Sequence, residues 1–267
     1  MQHYAKKRFG QNFLVDKNII QRIVDSIHPI DTDLMIEIGP GLGAMTLPVI
    51  ENLKHLHVIE LDHDIIPKLI LKLNTQAQKL SIHETDVLKF DFFSFYQHQD
   101  SNKKLRIIGN LPYNISTPVL FHLLKNRSII SDMHFMLQKE VVDRIAAAPG
   151  NGTYGRLTVM IQAYFKVTPL FTVSPFAFSP PPKVDSAILR LIPDTQYSND
   201  IPDFTQFETL IRTAFSQRRK TLRNTLKKLC SIEQIEAANL NSNQRAEELS
   251  VADFVRLNKI IASAVIR

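Results

Sequence analysis

Glu37-Ile38-Gly39-Pro40-Gly41-Leu42-Gly43 follows the apolar run Leu34 to Ile38, and this junction of a short buried strand with a glycine-rich turn decides the fold class. Glycine permits backbone conformations that bring a ligand close to the main chain, and a helix is expected to open at about Ala44. Strand, glycine turn and helix form the first half of a βαβ unit. Glu60, at the end of the next apolar run, lies twenty-one positions after Gly39, about the spacing at which an acid meets ribose hydroxyls. Together these residues indicate a Rossmann-like site for an adenosine-containing cofactor.

Further apolar runs continue the pattern: His55 to Leu61, Leu80 to His83, Leu105 to Gly109 and Met133 to Leu137, with helix-like segments between them. Such alternation predicts a mostly parallel, doubly wound α/β sheet whose ligands bind beyond the carboxyl ends of the strands. Val167 to Val173 and Ala187 to Ile192 read as later strands, an antiparallel pair at the sheet edge. Asn12 to Ile27 reads as a helix ahead of the first strand. Residues 193–203, rich in Asp, Asn, Ser and Pro and without periodicity, read as a linker. Phe204 to Phe215, Arg219 to Leu229, Ile232 to Ala238 and Val251 to Ala262 then have helical spacing. The expected domains are 1–192, catalytic, and 204–267, all-helical.

Two cofactors compete for the glycine turn. Gly39, Gly41 and Ala44 satisfy the dinucleotide pattern G-x-G-x-x-A, so NAD is a rival. Pro40, however, has no N–H to offer a pyrophosphate, and Glu37 adds negative charge that suits an ammonium or sulfonium group instead. S-adenosylmethionine carries both cations. Asp86-Val87, at the end of the third strand, supplies a third contact, the carboxylate accepting from the adenine amine and the Val87 amide donating to the ring. Asp86 also fits a plain helix cap.

Asn110-Leu111-Pro112-Tyr113 directly follows the run Leu105 to Gly109. An exocyclic aromatic amine such as adenine N6 is a poor nucleophile because its lone pair is delocalised into the ring. A side-chain amide oxygen and a backbone carbonyl that accept its two N–H bonds favour a pyramidal nitrogen, and an aromatic ring holds the base flat beside them. Asn110, the Leu111 carbonyl and Tyr113 can supply these functions, with Pro112 restricting the Leu111 backbone. The same tetrapeptide also reads as a strand ending in an ordinary Pro turn.

The 267 residues are 44% hydrophobic and 22% charged, ordinary for a globular chain with room for one large and one smaller domain. No apolar run is long enough to span a bilayer, and Lys6-Lys7-Arg8 precedes polar Gln11-Asn12, not a signal-peptide core. The single cysteine, Cys230, excludes an internal disulfide and a cysteine-rich metal site. A cytoplasmic location is expected, with no membrane partner. Net charge is +6, and its distribution matters more than its size. Arg212, Arg218, Arg219, Lys220, Arg223, Lys227 and Lys228 face a single acid, Glu208, between Thr205 and Cys230, while leucines and other apolar residues recur there at helical spacing. This reads as one or two amphipathic helices with a basic face for a polyanion; a solvated helix face or an anionic-membrane binder are the other readings.

Four segments resemble the ribosomal RNA adenine N6-dimethyltransferases, and among them the bacterial small-subunit branch: Lys7 to Leu14, Glu37 to Gly43, Asn110 to Pro118, and Phe178 to Ser186. A fifth, Met136-Leu137-Gln138-Lys139-Glu140-Val141, sits between them in the expected order. The resemblance spans nearly the whole chain. It implies a Rossmann-like class I S-adenosylmethionine-dependent methyltransferase fold with a small C-terminal all-helical domain. It places cofactor contacts on Asn12, Leu14, Gly39, Glu60, Asp86 and Asn110, with Gly41, Leu61 and Val87 as neighbouring positions. It makes Asn110 through Tyr113 catalytic and stacks Phe178 on the other face of the target base. No metal and no covalent intermediate are implied. The implied substrate is 16S rRNA in a small-subunit precursor, at two adjacent adenosines of a hairpin loop near the 3′ end. RNA contacts are expected from Lys6, Lys7, Arg8, Arg218, Arg219, Lys220, Arg223 and Lys227, through phosphates. A monomer is expected.

Three other readings share some of these residues. The antibiotic-resistance branch that methylates large-subunit RNA has the glycine loop and an Asn-Leu-Pro-Tyr-like motif, but Asn114 to Pro118 and Phe178 to Ser186 fit the small-subunit branch better. A DNA adenine methyltransferase typically begins the tetrapeptide with Asp and carries a recognition domain for which this chain has little room. A non-catalytic role as a ribosome-assembly checkpoint can coexist with catalysis.

Overall fold

The apolar runs become the strands of one large sheet. The structure, a computed structural model, describes residues 12–99 and 102–265. Among these, β1 (Phe13–Leu14) is followed by β2 (Leu34–Ile38), β3 (Leu56–Glu60), β4 (Leu80–Glu84), β5 (Leu105–Asn110), β6 (Ile130–Gln138), β7 (Phe165–Val173), β8 (Phe178–Ser179) and β9 (Ser186–Pro193). The sheet order is β4-β3-β2-β5-β6-β9-β7, with β1 and β8 forming a separate two-stranded ribbon. Ladders from β4 through β6 are all parallel, and β9 runs antiparallel to β6. The chain leaves β2 towards β3 and β4 and returns on its other side as β5. The order therefore reverses at β2 and β5, and a crevice opens beyond their carboxyl ends.

Helices α1 (Lys17–Ile27), α2 (Thr46–Ile50), α3 (Ile66–Leu73), α4 (Phe92–Gln97) and α5 (Ser116–Lys125) connect these strands. They bury both sheet faces, which explains why Met35, Ile36, Ile107 and Ile108, adjacent in their strands, are all fully buried. Helix α1 starts at Lys17, not at Asn12 as read from the sequence. The Asp16 carboxylate accepts from the Asn18 and Ile19 amides at 2.9 and 3.2 Å and caps the helix. The residues before it are drawn into β1, where Leu14 pairs with Phe178 and Phe13 with Ser179.

By its packing the chain forms two units, one of residues 1–142 with 168–193 and one of 143–167 with 194–267. This differs from the division at 192 and 204 drawn from composition. In the second unit α7 (Arg156–Gln162) packs on α8 (Phe204–Ala214), Tyr164 meets Phe204 and Phe207, and Arg156 pairs with Glu208 at 2.8 Å. Helix α6 (Lys139–Ile145) runs across the division and ends in the second unit, where the Arg144 carbonyl accepts from the Thr158 hydroxyl. Residues 193–203 are ordered: the Asp194 amide donates to the Tyr164 carbonyl and Ile201 is buried.

Of the expected helices beyond 204, α10 (Ile232–Ala237) and α11 (Val251–Val265) form much as read, but the stretch Arg219 to Leu229 contains only α9 (Leu222–Thr225). Two of its backbone donors go elsewhere. The Leu222 and Arg223 amides donate to the Gln244 and Ser242 carbonyls, and Thr221 bridges Arg245. Apolar Leu222 and Leu226 are buried as the spacing predicts, without one continuous helix beneath them. No helix among the described residues is long and apolar enough to cross a membrane.

Candidate active site

The crevice beyond β2 and β5 is a cavity of about 860 Å³, lined by residues of the first unit alone. That volume lies within the ~300–1,000 Å³ typical of small-molecule and cofactor sites. The glycine turn forms one wall. Gly41 has φ +54, a left-handed conformation that any side chain would strain, and its amide points to the Glu60 carboxylate at 3.3 Å. Glu60 also accepts from the Leu61 and Asp62 amides at 2.9 and 2.8 Å, so one carboxylate ties the turn after β2 to the turn after β3. Burial raises its pKa despite these three bonds, and Asp62 adds to the effect.

Glu37 is the unusual member of this wall. Its side chain is 1% exposed, and its Oε2 has no hydrogen-bond partner. Burial pushes the carboxyl up to about 7, partly offset by the Thr46 hydroxyl and reinforced by the Glu60 charge. A buried carboxylate without a partner is costly. A cation in the cavity would relieve that cost.

The remaining walls bring the other expected cofactor residues together. Asn12, Leu14, Gly39, Leu61, Asp86 and Val87 all line the same cavity. Asp86 also does what its plain reading predicted, accepting from the Leu88 amide at 2.9 Å and capping a short turn. Leu61 is half exposed, while Leu14 and Val87 are buried.

Asn110 ends β5 and lines the cavity with Leu111, Pro112 and Tyr113. β5 approaches β2 closely just before it: a Cβ on Gly109 would lie 2.7 Å from the Ile38 carbonyl oxygen, so only glycine fits there. The Asn110 side-chain amide donates to the Asn12 carbonyl at 3.4 Å, and Oδ1 is the end of the amide that Asn12 does not hold. The Leu111 amide is tied to the Met136 carbonyl at 3.2 Å. The Pro112 carbonyl accepts from the Ile115 and Ser116 amides at 3.1 Å, which turns the chain into α5. Tyr113 is held at both ends. Its carbonyl accepts from the Ser116 hydroxyl at 3.2 Å, and its hydroxyl lies 3.0 Å from the Ser186 hydroxyl.

Phe178 lines the cavity from the β1–β8 ribbon and is 4% exposed, with its ring within the apolar cluster that includes Leu14 and Ile188. Ser186, fully buried on β9, was not singled out from sequence for a role. It stood in the quoted segment Phe178 to Ser186, but its bond to a residue seventy-three positions earlier leaves no local signal. Asn12 was expected as a cofactor contact, but its carbonyl's bond to Asn110, ninety-eight positions on, likewise leaves no local signal.

The expected RNA contacts divide. Arg218, Arg219, Lys220, Arg223 and Lys227 are exposed in the second unit, most of them on turns around α9. Arg218 is partly engaged, donating to the Gly152 carbonyl and lying 3.6 Å from Glu247. Lys6, Lys7 and Arg8 lie outside the described residues.

Residues 2–263 match the family model for ribosomal RNA adenine dimethylase. The chain belongs to the ribosomal RNA adenine dimethylase family. A Pseudomonas aeruginosa relative of this family, ribosomal RNA small subunit methyltransferase A, is 53% identical over 261 residues, covering 98% of this chain and 96% of that one. The crystal structure of a Plasmodium falciparum dimethyladenosine transferase superposes with a TM-score of 0.78 at 27% identity, covering 92% of this chain and 95% of that one. The 23S rRNA methyltransferase ErmE shares the fold, with a TM-score of 0.70 at 22% identity, covering 94% of this chain and all of that one. The fold is that of the class I methyltransferases, and as a ribosomal RNA adenine dimethylase the protein is an RNA-modifying transferase. The Asn110–Tyr113 loop and the acidic glycine turn line one cavity.

Proposed function

We propose that the protein uses S-adenosylmethionine to methylate N6 of two adjacent adenosines in a hairpin loop near the 3′ end of small-subunit rRNA, giving N6,N6-dimethyladenosine. The observation that carries this reading is the meeting of Asn110–Tyr113 with Glu37, Glu60 and Asp86 around one cavity. Small-subunit specificity is supported by the 53% identical relative named for that subunit; the likeness to the large-subunit enzyme ErmE is one of fold.

The donor set fits the cofactor. The Glu37 carboxyl, with its Oε2 unpartnered, suits a cationic methionine moiety. Glu60 would hold ribose hydroxyls, and Asp86 with Val87 the adenine edge. When bound, S-adenosylmethionine supplies a methyl group on a positively charged sulfur, which makes it electrophilic without a metal.

The chain's own residues prepare the nucleophile. Asn110 Oδ1 and the Leu111 carbonyl accept from the two N–H bonds of the target amine and draw it out of the ring plane, so its lone pair becomes available. The Asn12 carbonyl keeps the Asn110 amide in the required orientation. Tyr113 and Phe178 sandwich the base. An unpaired loop adenosine enters such a pocket at little cost, because stacking is already weak. Acceleration then comes from positioning and preorganised dipoles. In the second unit the exposed cations from Arg218 to Lys227 would contact RNA phosphates, so affinity for the subunit should fall as salt rises.

Small and large ribosomal subunits lacking adenine dimethylation, incubated with methyl-labelled S-adenosylmethionine and analysed as nucleosides, test the proposal. Label in N6,N6-dimethyladenosine from small subunits alone is expected. Label in large subunits, or in N6-methyladenosine only, would overturn the substrate or the product.

A further inference from the structure

Phe176 is the most exposed large apolar side chain among the described residues, at 90%, although its backbone is hydrogen-bonded within its own turn. It sits in a single 3-10 turn, Pro175–Ala177, between buried Val173 and buried Phe178. The Ser174 hydroxyl accepts from the Phe176 amide at 3.4 Å, and the Ser174 carbonyl accepts from the Ala177 amide at 3.0 Å. The Ala177 carbonyl in turn accepts from the Val15 and Asp16 amides at 2.8 and 3.3 Å. Val15 and Phe178 both line the cavity, so the turn that carries Phe176 is bonded to one wall residue and leads directly into another. Packing within the described residues does not account for its ring, since almost none of it is covered.

We propose that Phe176 is an RNA-binding residue, a stacking platform for the nucleobase that flanks the target adenosine. The inference rests on the proposed reaction and adds to it a residue outside the cavity. Three features favour a base as the occupant. Unpaired bases in loops present flat π faces that stack on aromatic rings whatever their identity. A nucleotide next to the flipped adenosine must lie within one backbone step of the cavity mouth. The turn also fixes the ring's attachment in advance, which lowers the ordering cost that a mobile side chain would impose on binding. A single exposed apolar residue is common on any surface; this one stands two residues from the ring proposed to sandwich the target.

Steady-state methylation of small subunits by Phe176→Ala, Phe176→Leu and Phe176→Tyr tests the proposal, with melting temperature and S-adenosylmethionine affinity measured alongside. The Ala variant should keep both of those values and raise KM for the subunit roughly 5- to 100-fold, the usual range for losing one base–aromatic stack, with kcat changed much less. Tyr should restore the wild-type KM and Leu should not. A wild-type KM in the Ala variant would overturn the proposal. Full activity in the Leu variant would also overturn it, pointing instead to a purely apolar contact such as a ribosomal protein. Wild-type protein that leaves small subunits unlabelled would overturn both the substrate assignment and this residue's role, so the two failures are distinguishable.

Discussion

The two ends of the central sheet handle buried charge in opposite ways. At the amino ends of β5 and β6, Arg106 is 14% exposed and has a partner for every arm of its guanidinium. Its Nε meets both oxygens of Asp132 at 3.2 and 3.0 Å, and one terminal nitrogen meets Asp33 at 2.6 Å. The terminal nitrogens also donate to the His28 and Ile27 carbonyls at 3.2 and 2.5 Å, which closes the end of α1. Burial works to raise the Asp132 pKa, but His134 and Arg106 together hold it below the usual carboxylate range. At the carboxyl ends, Glu37 is more deeply buried and its Oε2 has no partner. At the amino end the charged groups meet one another; at the carboxyl end Glu60 and Asp86 are held by backbone amides, while one oxygen of Glu37 is left without a partner at the cavity wall.

That contrast makes separable predictions. Arg106→Met should have the largest effect, removing about 3–5 kcal/mol because it leaves two carboxylates buried without their cation. Urea unfolding measures this loss, and turnover per folded molecule should stay near wild type. Asn110→Ala should do the reverse. Turnover should drop on the order of 100- to 1,000-fold, the scale for losing one preorganised polar contact in an active site, while the urea midpoint hardly moves. If both variants lost stability and turnover together, the two ends would not be independent.

A subtler test uses pH. The Glu37 carboxyl is raised from 4.5 to about 7, so between those values the folded state holds a proton that the unfolded state has lost. Its contribution to stability is therefore present below about pH 4.5 and lost as pH rises through 7. A bound cation favours the ionised form, so cofactor affinity should rise with pH up to about 7, by at most roughly tenfold per unit, and level off above. Calorimetric titration with S-adenosylmethionine from pH 5.5 to 8 should show this slope in the wild type and a flat profile in Glu37→Gln. The smallest effect is expected from Ser186→Ala, which removes one hydrogen bond to Tyr113, worth about 1 kcal/mol, or roughly fivefold in kcat/KM. An unchanged value would mean that the Tyr113 ring is held by packing alone.

Much of this was legible from local pattern. Leu34–Ile38 and its glycine turn, the apolar runs that became β3 to β5, and the acids Glu60 and Asp86 are short-range features, and all fell where a doubly wound sheet requires. The failures share a cause. Phe13 and Leu14 carry helical spacing but pair with Phe178 and Ser179, far along the chain. Arg219 to Leu229 has the apolar rhythm of a helix, yet the Leu222 and Arg223 amides are claimed by the Gln244 and Ser242 carbonyls. Composition at 193–203 suggested a linker, while long-range bonds order it and group Asp143–Val167 with the C-terminal helices.

The order of residues by itself determined the sheet's parallel core, the glycine turn and the identity of the polar groups that line the cavity, because each of these depends on neighbours within a few positions. Only the tertiary structure decided how those groups are held. The Asn12 carbonyl on Asn110, Ser186 on Tyr113 and the two acids around Arg106 are partners twenty-six to ninety-eight positions or so from the residues they orient. The unpartnered Oε2 of Glu37 and the exposure of Phe176 are of the same kind, since burial and its absence are properties of the packed chain. Sequence spacing carries no record of such contacts; folding creates them.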